Sequence, residues 1–361
     1  MRARVLAAAA VALLSVAAGA CSGDDDTAGG ASDDAVAADS AEASAESTGA
    51  DAAPVPSAGC DGEPTAQADL QEVTLDVGGT PRRYLVSAPA WDGDDPRPLV
   101  VDFHGLAEGA EVHAQMSQLG PMAVSEGFVA VFPHGTGQPV RWDSGIDPAA
   151  NADLAYVTAL LDSIDAERCI DRARVYATGL SNGAMMSSTV ACTMADRFAA
   201  IAPVAGVQMP AGCAPARPVP VLTFHGTDDP ILLFNGGINA DALAPVLGGG
   251  EGDAAAPSTT LPPADLEGSG YPETVGQWAA LNGCDDSFTD EDVSDSIVHR
   301  TYDCPAEAPV EFYIVEGGGH SWPSSEFSRS IESIVGPTTF DIDASELAWE
   351  FFQQFALPAP G

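Results

Sequence analysis

The sequence predicts an α/β fold with a mostly parallel central sheet and helices on both faces, and three observations carry that reading. Short apolar β-type runs alternate with helix-like runs along most of the chain, the pattern of strand, crossover and next strand. Gly179-Leu180-Ser181-Asn182-Gly183 stands between an apolar run (Val175 to Thr178) and a helix-like run (Ala184 to Met194), the setting of a strand-turn-helix nucleophile elbow. The remaining residues able to do chemistry fall directly after strands, where open α/β sheets place their reacting groups.

The N-terminus comes first. Arg2 and Arg4 precede an apolar run from Val5 to Ala18 and the small residues Ala18-Gly19-Ala20, the layout of a secretory signal peptide over residues 1–20. Cys21 follows at once, as in the lipobox of bacterial lipoproteins. A free N-terminal thiol would be out of place in an oxidising compartment, and setting Cys21 aside leaves six cysteines for three disulfides. Cys21 is therefore expected to carry lipid, making the chain an exported, cell-envelope or secreted protein. Residues 22–59 are mostly Ala, Ser, Gly, Asp and Glu with no aromatic residue, so 21–59 reads as a lipidated cysteine on a disordered acidic tether. A coil of that length spans roughly 30–35 Å.

From Cys60 to the end a single catalytic domain is expected. Val73 to Val77, Gly78-Gly79 and Arg83 to Val86 read as an opening hairpin. Apolar strands follow at Pro98 to Phe103, Phe128 to Phe132, Arg174 to Thr178, Ala200 to Val204, Val219 to Phe224 and Val310 to Val315. The clearest helices are Asp153 to Ile164, Asn182 to Met194, Thr274 to Leu281 and Ser345 to Phe355. A Gly-, Ala- and Asp-rich insertion occupies about 232–270.

At the strand ends stand His104-Gly105, Pro133-His134-Gly135, Ser181, His225-Gly226-Thr227-Asp228-Asp229-Pro230 and Gly317-Gly318-Gly319-His320-Ser321-Trp322-Pro323. The order serine, acid, histidine is that of an α/β-hydrolase fold. His299 lies in an acidic stretch between Cys284 and Cys304, whereas His320 lies on a glycine-rich turn after a strong strand, so His320 is the base. Asp228 and Asp229 both remain candidates for the acid on position alone.

His104-Gly105, the Thr178 to Gly183 elbow, Ala202-Pro203-Val204-Ala205-Gly206, His225-Gly226-x-x-Asp229-Pro230 and Gly319-His320-x-Trp322-Pro323 together resemble the secreted esterases that include polyhydroxybutyrate depolymerases and feruloyl or acetylxylan esterases. The likeness runs from about Val73 to Phe355. It implies a serine carboxylic-ester hydrolase with Ser181 as nucleophile, His320 as base and Asp229, through the family pattern His-Gly-x-x-Asp, as acid. The N–H groups of Leu106 and Asn182 are then the oxyanion donors. His104, His134, Trp142 and Trp322 are expected to line the substrate pocket. His134 departs from the relatives, many of which carry an acidic or other polar residue there. Expected disulfides are Cys60–Cys169, Cys192–Cys213 and Cys284–Cys304. Two other readings stand beside the esterase: a surface lipoprotein that keeps the fold only as a binding module, and a serine peptidase.

Charge narrows the partners. The chain has 53 acids against 13 basic residues, all of them arginine, and a formal charge of −40. That field repels nucleic acid and anionic lipid surfaces, so a small neutral ester or oligoester, a monomeric state and membrane contact only through the N-terminal lipid are expected. The Asp285 to Asp295 acids lack the glycine and terminal glutamate of a calcium loop, and no phosphate loop or zinc motif is present, so neither metal nor cofactor is implied.

Overall fold

The computed structural model describes residue 49 and residues 52–93, 95–244, 247 and 261–358. The expected signal peptide, Cys21, the expected tether up to residue 48 and the middle of the insertion lie outside these residues.

One ten-stranded sheet organises the domain. In chain order the strands are β1 (Ala68–Val77), β2 (Thr80–Ala88), β3 (Arg97–Phe103), β4 (Val129–Pro133), β5 (Ile170–Leu180), β6 (Ala200–Val204), β7 (Val221–Gly226), β8 (Phe288–Ser294), β9 (Ile297–Tyr302) and β10 (Val310–Val315). Across the sheet they run β1-β2-β4-β3-β5-β6-β7-β10-β9-β8. The six central strands from β4 to β10 pair parallel, and an antiparallel pair of strands flanks each end. The helices are α1 (Ala110–Ser117), α2 (Leu119–Glu126), α3 (Ala152–Glu167), α4 (Asn182–Thr193), α5 (Ala240–Leu243), α6 (Tyr271–Asn282), α7 (Glu326–Ser330), α8 (Glu332–Val335) and α9 (Ala344–Phe352).

Strand alternation divides the apolar residues into two cores. Leu99, Val101 and Phe103 of β3 pack with Leu160 of α3, Val190 of α4 and Trp278 of α6. Val100, between them, faces the other way onto Ala114 of α1, Leu119 of α2 and Phe351 of α9. The central strands are buried on both faces, which is why they read as unbroken apolar runs rather than alternating ones.

Three features differ from the sequence expectation. The stretch between Cys284 and Cys304 is the β8–β9 hairpin rather than an acidic loop. β8 exposes nearly all its side chains at the sheet edge, so no apolar alternation marked it; its acids discourage another strand from pairing there. Asp290 of β8 grips Arg300 of β9 through two 2.8 Å bonds. Residues 55–60, most of them assigned to the tether from the sequence, are tied to the domain. Val55 N–H donates to Asp171, Ser57 N–H donates to Ile170, and Cys60 is bonded to Cys169, which together hold residues 55–60 against β5. Helices α1 and α2 carry only weak amphipathic patterns, α2 with a Gly and a Pro in its first turn, and the sequence did not mark them. The insertion's described ends close on each other, where Asn235 donates to the Pro263 carbonyl and accepts from Asp265 N–H.

All three expected disulfides are present: Cys60–Cys169, Cys192–Cys213 and Cys284–Cys304. Among the described residues no helix is long and apolar enough to cross a membrane, and no group of three or more His, Cys, Asp or Glu is placed to hold a metal ion.

Candidate active site

β5 ends at Leu180 and α4 begins at Asn182, so the single residue Ser181 makes the whole strand-to-helix turn. Its φ of 57° and ψ of −117° are strained for a residue with a side chain, at a cost of about 1–3 kcal/mol. Two hydrogen bonds hold it there: Ser181 N–H donates to the Val204 carbonyl at 2.9 Å, and Met185 N–H donates to the Ser181 carbonyl at 3.0 Å. The flanking glycines permit the turn by absence of bulk. A Cβ on Gly183 would lie 1.9 Å from the Phe103 carbonyl oxygen, and one on Gly179 would lie 2.4 Å from the same atom.

Asp229 and His320 arrive from the loops after β7 and β10. Asp229 Oδ2 accepts from His320 Nδ1 at 2.7 Å, and its Oδ1 accepts the N–H groups of Ile231 and Leu232, each at 2.8 Å. Burial would favour protonated Asp229, but His320 and His225 outweigh it and hold the carboxyl well below its usual range. For His320 burial pushes the other way from the charges. Asp229, with a smaller contribution from Glu108, raises the imidazole above its ordinary value despite that burial. Asp228, by contrast, is exposed, with its N–H bonded to the Gly318 carbonyl.

A second histidine backs the acid. His225 Nε2 donates to the Leu232 carbonyl at 2.9 Å and stands 3.3 Å from Asp229 Oδ2, while its ring stacks on Tyr271 at 3.4 Å. The sequence showed His225 only as the start of the His-Gly-x-x-Asp pattern; the i,i+4 spacing to Asp229 at a strand end is the signal that pairs them.

The loop after β3 carries the expected oxyanion donor. Gly135 N–H donates to His104 Nε2 at 2.9 Å, so the proton sits on Nδ1, which donates to the Gly105 carbonyl at 2.6 Å. His104 is wholly buried, which lowers its pKa to about 4 and keeps it neutral. A trans peptide points its C=O and N–H in opposite directions, so fixing the Gly105 carbonyl fixes the Leu106 N–H. Among the described residues neither the Leu106 nor the Asn182 N–H is bonded to a protein acceptor.

The tryptophans do not line a pocket. Trp142 is 2% and Trp322 1% exposed. Trp142 sits among Phe103, His104 and Tyr156, its indole N–H donates to the His104 carbonyl at 2.9 Å, and the Asn182 side chain grips its backbone through both N–H and C=O. Trp322 donates to Ser345 Oγ at 3.1 Å and meets the edge of His113. Nearness in sequence to a strand end suggested a pocket; both rings instead pack against buried aromatic and histidine rings. His104 is likewise interior. His134 remains partly open, with 26% of its side chain exposed, and its Nδ1 accepts from Ala110 N–H and from Arg83.

Comparison with known proteins relates the chain to esterases. Residues 83–259 match the family described as esterase PHB depolymerase, a span that holds Ser181 and Asp229 and stops before His320. Feruloyl esterase B of Piromyces equi is 27% identical over 285 residues, covering 77% of this chain and 46% of that protein. Feruloyl esterase D of Neurospora crassa is 30% identical over 194 residues, covering 50% of this chain and 64% of that protein. The chain thus spans about half to two thirds of the length of these relatives. An acetyl xylan esterase from Aspergillus awamori superposes with a TM-score of 0.49 at 17% identity, over 73% of this chain and 98% of its own. The esterase resemblance carried by the motifs is borne out.

Proposed function

We propose that this chain is an exported serine carboxylic-ester hydrolase working through an acyl-enzyme on Ser181. The observation that carries the reading is a strained, glycine-flanked serine at a strand-to-helix turn in the same sheet that supplies a buried Asp229–His320 pair. Ser181 Oγ attacks the ester carbonyl as its proton passes to His320 Nε2, and Asp229 holds the other ring proton on Nδ1 and stabilises the imidazolium. The oxyanion takes hydrogen bonds from the Leu106 and Asn182 N–H groups, each worth about 3–4 kcal/mol at the transition state. Collapse expels the alcohol with the proton from His320, and water then repeats the cycle on the acyl-enzyme.

The substrate in this reading is a small neutral ester or oligoester, supported by the feruloyl esterase relatives and by a net charge of −40 that disfavours anionic substrates. Three disulfides support an oxidising, extracytoplasmic setting, with Cys21 as the lipid attachment point. A panel of feruloyl, acetyl, hydroxyalkanoate and simple acyl esters tests the proposal. Turnover that disappears in Ser181→Ala is expected; turnover unchanged in Ser181→Ala, or none on any ester, would refute it.

A further inference from the structure

Beside the candidate catalytic groups lies a buried charged cluster that ester hydrolysis does not itself use. Asp102, next to the last residue of β3, and His113 of α1 are both fully buried, with Asp102 Oδ1 2.6 Å from His113 Nε2. On the other side of the imidazole, His113 Nδ1 lies 3.3 Å from Glu108 Oε2, an ion-pair contact off the axis of a hydrogen bond. The same Glu108 oxygen accepts the Gly105 N–H at 2.8 Å. Burial alone would lower the pKa of His113, but Asp102 and Glu108 raise it to about 10, so the ring is a fixed cation. Glu108 is only 19% exposed, and its carboxyl is held below the usual range by His113 and the Gly105 N–H against the effect of burial.

The cluster borders both the oxyanion loop and the segment that carries His320. Glu108 holds the Gly105 N–H, in the peptide before, while His104 holds the Gly105 C=O, in the peptide that bears the Leu106 N–H, so Gly105 is pinned on both sides of its Cα. The His113 ring packs edge-on against Trp322, two residues beyond His320, at 5.6 Å. Glu108 also lies near enough to the His320 imidazole to favour its charged form. The groups facing His113 are therefore Asp102 from β3 and Glu108 from the loop, with His104 close by.

We propose that Glu108, held against the buried Asp102–His113 pair, is a positioning residue that pins Gly105 and so fixes the Leu106 N–H in the oxyanion hole. This rests on the ester-hydrolase reading. A carboxylate anchored by a buried cation is charge-assisted on both contacts, which suits it to fixing a loop that must not move as negative charge develops on the substrate.

The test uses the full chain with a soluble ester that the wild-type protein turns over in a Ser181-dependent way. Glu108→Gln keeps an oxygen for the Gly105 N–H but removes the charge. It is expected to lower kcat about tenfold with KM within about twofold, since small misplacement of a catalytic group is costly. His113→Gln, which leaves Asp102 and Glu108 without their shared cation, is expected to lower kcat about 100-fold. Glu108→Gln with wild-type kcat overturns the proposal even if its melting temperature falls. If wild-type turnover itself fails to depend on Ser181, the hydrolase reading falls and takes this inference with it.

Discussion

Replacing Asp229 by Asn tests the triad through hydrogen-bond direction rather than size. Oδ1 of Asp229 accepts two N–H groups, from Ile231 and Leu232, while Oδ2 accepts from His320 Nδ1. An asparagine must place its carbonyl oxygen on the two backbone donors, because the reverse orientation would face an NH₂ with two N–H groups. Its amide nitrogen then points at His320 Nδ1 and forces the ring proton onto Nε2, the nitrogen that has to accept from Ser181. The expected loss in kcat is about 10⁴-fold, or about 5 kcal/mol of transition-state stabilisation, with KM nearly unchanged. Asp228→Asn, at an exposed side chain, should cost less than about twofold. Steady-state kinetics on a soluble ester, with circular dichroism as a check on folding, decides it. A loss under tenfold at Asp229, or a larger loss at Asp228, would refute the assignment.

Other consequences are equally direct. Because Asp229 raises the His320 pKa and the base must be neutral, kcat/KM should rise with pH through an apparent pKa above about 6.5, the ordinary histidine value; an acid limb centred below that value would contradict the electrostatics. Removing Cys60–Cys169, which spans 109 residues, should destabilise by about 1.5 kcal/mol more than removing Cys284–Cys304, which spans 20, on the chain-entropy account, and denaturant unfolding of the two Ser–Ser variants measures the difference. Trp142→Ala and Trp322→Ala should each cost about 3–5 kcal/mol of stability, as buried aromatic truncations do, and soluble variants with wild-type melting temperatures would show the rings to be pocket walls after all.

The sequence revealed what one local pattern could encode. The elbow was legible because Gly179, Ser181 and Gly183 are tied to one turn geometry, and the central strands because burial on both faces leaves them uniformly apolar. Asp229 was separable from Asp228 only through the family pattern; in the structure one side chain is buried against two backbone donors and the other is exposed. The Asp102–His113–Glu108 cluster was not legible, since its members belong together only once β3, its loop and α1 fold back on each other. Trp142 and Trp322 misled for a related reason: a ring near a reactive residue in sequence can face the pocket or the core, and no periodicity distinguishes the two. β8 escaped notice because an edge strand with little buried surface has no alternation to display.

The central claim is that Ser181 is acylated by the substrate. Mixing enzyme with excess p-nitrophenyl acetate, quenching in acid within the first turnover and mapping the peptides by mass spectrometry tests it most directly. The account predicts an acetyl group on the peptide containing Ser181, absent in Ser181→Ala and formed far more slowly in Asp229→Asn. Turnover with no acyl group on Ser181, or an acyl group on another residue, would contradict it.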